Sequence, residues 1–100
     1  MNDSIIMKRF EIVIEVGHLN HLMELLERSE VRGYTVIKNV GGLGLQGTRN
    51  PDDVLIADEN AVIILACKED QAQKVLNELR PAMESFSGMY LISDCHAQTH

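Results

Sequence analysis

Residues 7–16 have the sequence MKRFEIVIEV, and residues 18–30 have the sequence HLNHLMELLERSE. The first stretch alternates, and it places Phe10, Ile12 and Ile14 on one side of an extended chain. The sequence therefore predicts a strand with one buried face, followed by a helix. The helix is indicated by apolar residues at the 3, 4, 7 spacing of an amphipathic helix, namely Leu19, Leu22, Met23 and Leu26.

The same order recurs farther along the chain. Residues 33–40 (GYTVIKNV) have the composition of a second strand, and Ala61–Cys67 is a continuous apolar run typical of a covered strand. Glu69–Arg80 has helical spacing, and we expect Pro81 to end or kink this second helix. Residues 88–94 (GMYLISD) predict a fourth strand.

Two strand–helix–strand units predict a single ferredoxin-like domain over residues 1–100. The expected fold class is α+β, a βαββαβ sandwich with an antiparallel sheet and both helices on one face. Residues 95–100 are expected to form a polar tail. The third strand is apolar on both sides, with Ile63 on one and Ile64 on the other, so the sheet face without helices favours a partner.

Composition, net charge and cysteine count argue against several classes of protein. The chain has 100 residues, a net charge of −6 and no Trp, so extra burial through oligomerisation is favoured. The acidic balance argues against a nucleic-acid module, because phosphate affinity comes mainly from clustered Lys and Arg. No apolar run reaches the roughly 18 residues of a membrane span, which argues against direct membrane insertion. Cys67 and Cys95 are too few for a disulfide framework, and with no signal segment we expect a cytoplasmic protein.

Residues 41–58 form a long connection without apolar periodicity, and they include GGLGLQGTRNP at residues 41–51. Glycine at this density lets backbone N–H groups turn toward an anion. Gly42, Gly44 and Gly47 also match the G-x-G-x-x-G dinucleotide fingerprint. However, Pro51 follows where a helix should begin, which argues against a Rossmann site. A mobile loop without a ligand is the alternative.

Other polar side chains are weaker indications of an anion or metal site. Arg49 suits a phosphate or carboxylate as a bidentate donor, and a solvated side chain is its alternative. The acidic residues Asp52, Asp53, Asp58 and Glu59 favour solvation of the loop. His18 and His21, like the histidines of the tail, lack the further ligands that a metal site needs.

Three segments together resemble the PII and PII-like signalling proteins, and the resemblance runs from about Lys8 to Ser93. Residues 33–36 (GYTV) are similar to the family's Gly-x-Thr-Val motif at the start of the second strand. Residues 42–46 (GLGLQ) are similar to the base of its long T-loop, which here corresponds to residues 41–58. Residues 87–92 (SGMYLI) lie where the family has its B-loop and last strand.

The resemblance implies a non-enzymatic homotrimer that binds adenine nucleotide in clefts between subunits. It implies no metal site and no covalent cofactor. The implied effector-binding residues, for an anion, are Gly47, Thr48 and Arg49. The implied nucleotide-binding residues are Tyr34, Thr35, Gly42, Gly44, Gln46, Gly47, Gly88, Met89 and Tyr90.

The chain departs from the classical nitrogen-sensing members in its charges. Leu45 stands where they carry an Arg, Met89 stands where they carry a B-loop Lys, and their later basic pair is missing. Each charge-assisted contact contributes about 1.5–3 kcal/mol, so ATP is disfavoured as the main ligand. The T-loop also lacks their modification tyrosine.

The PII-like branch associated with inorganic carbon is the part of the family that this chain resembles more. The resemblance lies in the shorter loop, residues 33–36 (GYTV) and residues 47–50 (GTRN). For that branch the resemblance implies AMP, ADP or cyclic AMP, with bicarbonate near Arg49. The implied role is regulation of inorganic-carbon uptake or of carbon and nitrogen metabolism. The partner would be a membrane transporter or a carboxysome-associated target, reached through the T-loop.

Two other classes stay open. An acylphosphatase-like enzyme has a similar fold, and residues 44–47 (GLQG) are faintly similar to its Gly-x-Val-Gln-Gly loop, although that loop follows the first strand rather than the second. A trimeric divalent-metal-binding protein would use His96 and His100. An RNA-recognition domain is disfavoured because the central strands lack exposed stacking aromatics.

Overall fold

A computed structural model of the chain describes residues 4–40 and 60–98. A 3-10 turn, Val16–His18, joins the first strand to the first helix. No helix within the described residues is both long enough and apolar enough to span a membrane. The regular elements are β1 (Ser4–Glu15), α1 (Leu19–Arg28), β2 (Thr35–Val40), β3 (Asn60–Cys67), α2 (Glu69–Phe86) and β4 (Met89–Gln98).

The strands form one sheet in the order β2-β3-β1-β4. Every neighbouring pair is antiparallel, and β1 and β3 are the two central strands. Side chains from both helices join the buried side of these central strands in one core cluster, so both helices cover the same face. The predicted ferredoxin-like α+β fold is therefore confirmed.

The face of the sheet that the helices cover, here called the helix face, holds the core. Phe10 and Ile12 are fully buried, and Ile14 is 1% exposed. Their partners on β3 are equally apolar, since Phe10 lies opposite Leu65 and Ile12 lies opposite Ile63. The helices contribute the remaining core side chains, which include Leu22, Leu25 and Leu26 of α1 and Ala72, Val75, Leu79 and Phe86 of α2.

The opposite side of the sheet, here called the open face, is also apolar at its centre. Val13 lies between Val62 of β3 and Met89 of β4, and all three alternate with helix-face residues. Within the described ranges no element covers this face. Its exposed large apolar side chains are Ile5 (40%), Ile37 (45%), Met89 (39%) and Leu91 (54%).

The prediction of a polar tail from Cys95 is wrong for the residues that the structure describes. β4 continues to Gln98, because residues 95–98 pair with Ser4–Met7 at the start of β1. β1 accordingly begins at Ser4, three residues before the predicted start at Met7. The two segments stabilise each other as strands although they lie at opposite ends of the sequence.

α2 does not end at Pro81 but runs through it to Phe86. A proline inside a helix costs about 3 kcal/mol, because it lacks an N–H and clashes with the preceding turn. Burial of the residues that follow offsets this cost: Phe86 is 1% exposed, and its ring stacks on His18 with the ring centroids 5.1 Å apart. Ala82 and Met83 pack against the same core.

Candidate functional site

The connection from α1 to β2 leads to the first two predicted nucleotide-binding residues, Tyr34 and Thr35. Ser29 caps the C-terminus of α1, and its hydroxyl donates a hydrogen bond to the carbonyl oxygen of Leu25 at 3.0 Å. Glu30 follows with φ of 62°, a left-handed conformation that turns the chain out of the helix. The Val31 N–H then donates to the Leu26 carbonyl at 3.0 Å. This turn fixes the position of residues 31–34, which lead into β2 without helix or strand structure.

A groove of about 790 Å³ lies between this connection, the end of β3 and the start of α2. Gly33 and Ala66 line it, together with charged side chains of both signs such as Lys68 and Asp70. The amide of Gln71 on α2 donates to the backbone carbonyl of Glu30, which ties the two walls together. The volume lies within the range of small-molecule sites, which is about 300–1,000 Å³.

Tyr34 and Thr35 are neighbours in sequence but lie on different sides of the sheet. Tyr34 lines a second groove of about 480 Å³ along α1, together with Met23 and Glu24. Thr35 is the first residue of β2, and it lies opposite Ile64 on the open face. The two predicted nucleotide-binding residues therefore present different surfaces.

At the start of β4, Gly88 is required by packing. Ser87 has φ of 53° and turns the chain from α2 toward the sheet. A Cβ on Gly88 would lie 2.2 Å from the backbone oxygen of Val13 and 3.0 Å from a methyl carbon of Ile14. Sequence reasoning placed Gly88 in a ligand loop and missed this close approach, which only the paired strand reveals.

Met89 and Tyr90, the other two predicted residues of this region, also face opposite ways. Met89 lies on the open face opposite Val13 and is 39% exposed. Tyr90 lies opposite Ile12 and packs, partly buried, against the core. Only Met89 is thus presented on the open side of the sheet.

Within one chain the structure does not bring Thr35 and Met89 together. They belong to β2 and β4, the two edge strands, with β3 and β1 between them. Neighbouring strands are about 4.8 Å apart, so the edges are separated by roughly 14 Å. The structure therefore keeps these two sets of predicted residues apart within one chain.

The glycine-rich part of the predicted site lies outside the described residues, as does the whole T-loop of residues 41–58. This applies to Gly42, Gly44, Gln46, Gly47, Thr48 and Arg49. His100 lies outside them as well. Over residues 4–40 and 60–98, no three His, Cys, Asp or Glu side chains cluster so as to hold a metal ion.

Two ionisable groups near the groove have shifted pKa values. Burial is the main cause that raises the pKa of the Cys67 thiol, and the charges of Asp70 and Cys95 add to it. Because the thiolate is the nucleophile, this shift keeps Cys67 unreactive. The pKa of Lys8 is also raised, chiefly by its hydrogen bond to Asp94, whose carboxylate lies 2.5 Å away.

Comparison with known proteins gives a family, a curated relative and several solved structures. Residues 7–97 match the family model of the nitrogen regulatory protein P-II. A UPF0166 protein from Methanocaldococcus jannaschii is 31% identical over 78 residues, which cover 76% of this chain and 70% of that protein.

The solved structures include CPII, a nitrogen regulatory PII-like protein from Thiomonas intermedia K12. In complex with ADP and bicarbonate it has a TM-score of 0.81 and 29% identity, over 96% of this chain and 92% of that chain. A second CPII structure, which has a TM-score of 0.79 and 28% identity over the same shares, holds ADP, AMP and bicarbonate. A PII-like signalling protein from Thermus thermophilus, at 20% identity, shares the fold with a TM-score of 0.75 over 97% of this chain and 94% of that chain.

Proposed function

Since the chain belongs to the family of the nitrogen regulatory protein P-II, we propose that it is a PII-like signal-transduction protein that binds AMP or ADP between the subunits of a homotrimer. The observation that carries this proposal is the position of the predicted nucleotide-binding residues on the two opposite edge strands. CPII, which aligns with 96% of the chain, holds ADP and AMP in its structure, and this supports the choice of ligand.

The homotrimer is supported by the open face. Large apolar side chains such as Ile37 and Leu91 are about half exposed there, whereas Ile12 and Ile63 at the centre of the helix face are fully buried. Contiguous exposed apolar surface of this kind marks interaction sites in soluble proteins. Two further copies of the chain would cover it and complete a core that is small for one chain.

In such an assembly the nucleotide would lie where the β2 edge of one copy meets the β4 edge of the next. The first copy would contribute Tyr34 and Thr35, together with the end of the groove at Gly33 and Ala66. The second copy would contribute Gly88 and Met89. The T-loop base would offer its backbone N–H groups to the phosphates through Gly42, Gly44, Gln46 and Gly47.

The second ligand in this proposal is bicarbonate, held near Arg49 with Gly47 and Thr48. Bicarbonate accompanies ADP in the CPII structures, and a guanidinium suits a planar oxyanion. Occupation of the site would shift the T-loop between two states, because the ligands contact one state better than the other. The T-loop would then dock on a membrane transporter or a carboxysome-associated target in the cytoplasm, and so regulate inorganic-carbon uptake or carbon and nitrogen metabolism.

Isothermal titration tests the ligand. AMP, ADP, ATP and cyclic AMP are titrated separately, each with and without bicarbonate. We expect AMP and ADP to bind more tightly than ATP, since Leu45 and Met89 supply no charge to a third phosphate. Absence of binding for all four nucleotides would refute the nucleotide site.

The Arg49→Ala variant tests whether Arg49 holds bicarbonate. It should weaken the effect of bicarbonate while the melting temperature stays near that of the wild type, because the proposal gives Arg49 no structural role and such substitutions change stability by about 0.5 kcal/mol or less. A large loss of stability instead would show that Arg49 is structural.

A further inference from the structure

Arg9 and Glu11 place an ion pair in the middle of the open face. Both belong to β1 and point to the same side of the sheet, two residues apart. A guanidinium nitrogen of Arg9 contacts a carboxylate oxygen of Glu11, and the side chains are 37% and 34% exposed. Most charged side chains of a small domain are more exposed than this, so the position of this pair requires an explanation.

The neighbours of the pair carry no charge. Glu11 lies between Ile64 of β3 and Leu91 of β4, and Arg9 lies between Ala66 and Ser93. The next residue of β1 on this face is Val13. The two charges therefore interrupt an apolar surface, and each is the other's ion-pair partner on it.

The centre of the open face is thus close to neutral in a strongly acidic chain, and the other charged side chain on this side of the described strands is Glu15, at the end of β1. The whole sequence has a net charge of −6, whereas Arg9 and Glu11 cancel each other at the centre of this face. Copies of the chain would repel one another across their other surfaces and least across this one. The charge distribution consequently favours a second copy of this chain as the occupant of the face.

We infer that the Arg9–Glu11 pair determines the association of the subunits, by keeping the open face neutral when other copies cover it. The inference rests on the proposed homotrimer and adds the residues that control its assembly. When the face is covered, both charged groups leave water together. Removal of one partner then leaves an uncompensated charge in each subunit, and charges of the same sign are brought toward one another.

The test compares single charge variants with an exchanged double variant, by sedimentation velocity over a range of protein concentrations. Glu11→Gln and Arg9→Gln should each raise the concentration at which half of the chains dissociate by at least about tenfold. Because the dissociation constant of a trimer scales with the square of that concentration, this corresponds to about 2.7 kcal/mol per trimer. The exchanged double variant, Arg9→Glu with Glu11→Arg, should restore association toward the wild-type value, because it keeps the pair and the neutrality. Circular dichroism of each variant at low concentration checks that the monomer is folded.

Asp94→Asn is the matched control. It removes the Lys8–Asp94 pair one residue along β1, whose members point to the other side of the sheet and whose Asp94 side chain is 70% exposed. This variant should assemble like the wild type.

The outcomes separate the two proposals. A monomeric wild type would overturn the homotrimer, and with it the role of the pair. A trimeric wild type whose single variants associate equally well would overturn the role of the pair alone. Weakened single variants that the exchanged pair does not restore would also overturn it, since restored neutrality of the face would then have no effect on association.

Discussion

The two faces of the sheet are built by the same alternation but are completed in different ways. On the helix face Ile12 and Ile63 are fully buried by side chains of the same chain. On the open face the adjacent residues Val13 and Ile64 are only half-buried. The apolar side chains of one strand thus specify folding on one face and, in the proposed homotrimer, association on the other. Measurements that separate these two contributions test the proposals most directly.

The two thiols are expected to give the largest difference. Cys67 belongs to the helix face and is 3% exposed, whereas Cys95 lies opposite Met7, beyond the end of β3, and is partly exposed. Burial raises the pKa of Cys67, so less of its reactive thiolate is present at any pH below that value. We expect a thiol reagent to label Cys67 at least about a thousandfold more slowly than Cys95, because labelling requires opening of the core. Labelling of the Cys95→Ser variant at the rate of Cys95 would contradict this.

Equal truncations on the two faces should have different concentration dependences. Ile12→Ala should lower the free energy of unfolding by about 2–5 kcal/mol at every protein concentration, because it leaves a cavity in the core. Ile64→Ala should cost less in the dilute monomer and more once the open face is covered. Urea denaturation at two widely separated protein concentrations measures both. Identical losses at both concentrations would show that Ile64 takes no part in association.

Two glycines give a smaller but sharper comparison. Gly88→Ala should lower the free energy of unfolding by about 1–3 kcal/mol, because the new Cβ would collide with the backbone of Val13. Gly33→Ala is the control, since a Cβ there meets nothing within 4 Å, and it should change stability by about 0.5 kcal/mol or less. If Gly88→Ala were as stable as the wild type, the close approach of β4 to β1 would be disproved.

The smallest effect is expected for the Lys8–Asp94 pair. The pKa of Lys8 is raised above its ordinary value of 10.5 by Asp94, so the pair contributes stability below pH 10.5 and loses it as the pH rises through the folded-state pKa. The difference in melting temperature between the wild type and Asp94→Asn should therefore shrink in strongly alkaline solution. A difference that grows with pH would contradict the assignment.

The order of the elements and the two faces of β1 followed from local periodicity alone, because a strand and an amphipathic helix repeat at different spacings. The family resemblance is confirmed as well. The continuation of α2 past Pro81 had a visible signal, since Ala82, Met83 and Phe86 extend the helical spacing from Leu79. The strand at residues 95–98 had none, because its partner lies at the other end of the sequence.

The candidate site was less accessible to sequence reasoning. The motif containing Thr35 could be recognised, but whether neighbouring residues face the same way depends on where a strand begins. Tyr34 and Tyr90 illustrate this, since one packs along α1 and the other against the core. The packing role of Gly88 depends on β1, about 75 positions earlier in the chain, which no local pattern contains.

The ribbon formed by Ser4–Met7 and residues 95–98 has a consequence for protein engineering. Ser4 and Gln98 lie directly opposite each other, so their Cα atoms are about 5 Å apart. A few added residues could join them, and the chain could then be opened between β2 and β3 without breaking any pairing among the four strands. Such a circular permutant would move both ends of the polypeptide to the segment that we propose to respond to ligand. A pair of fluorophores attached there would turn the protein into a reporter of its own effector.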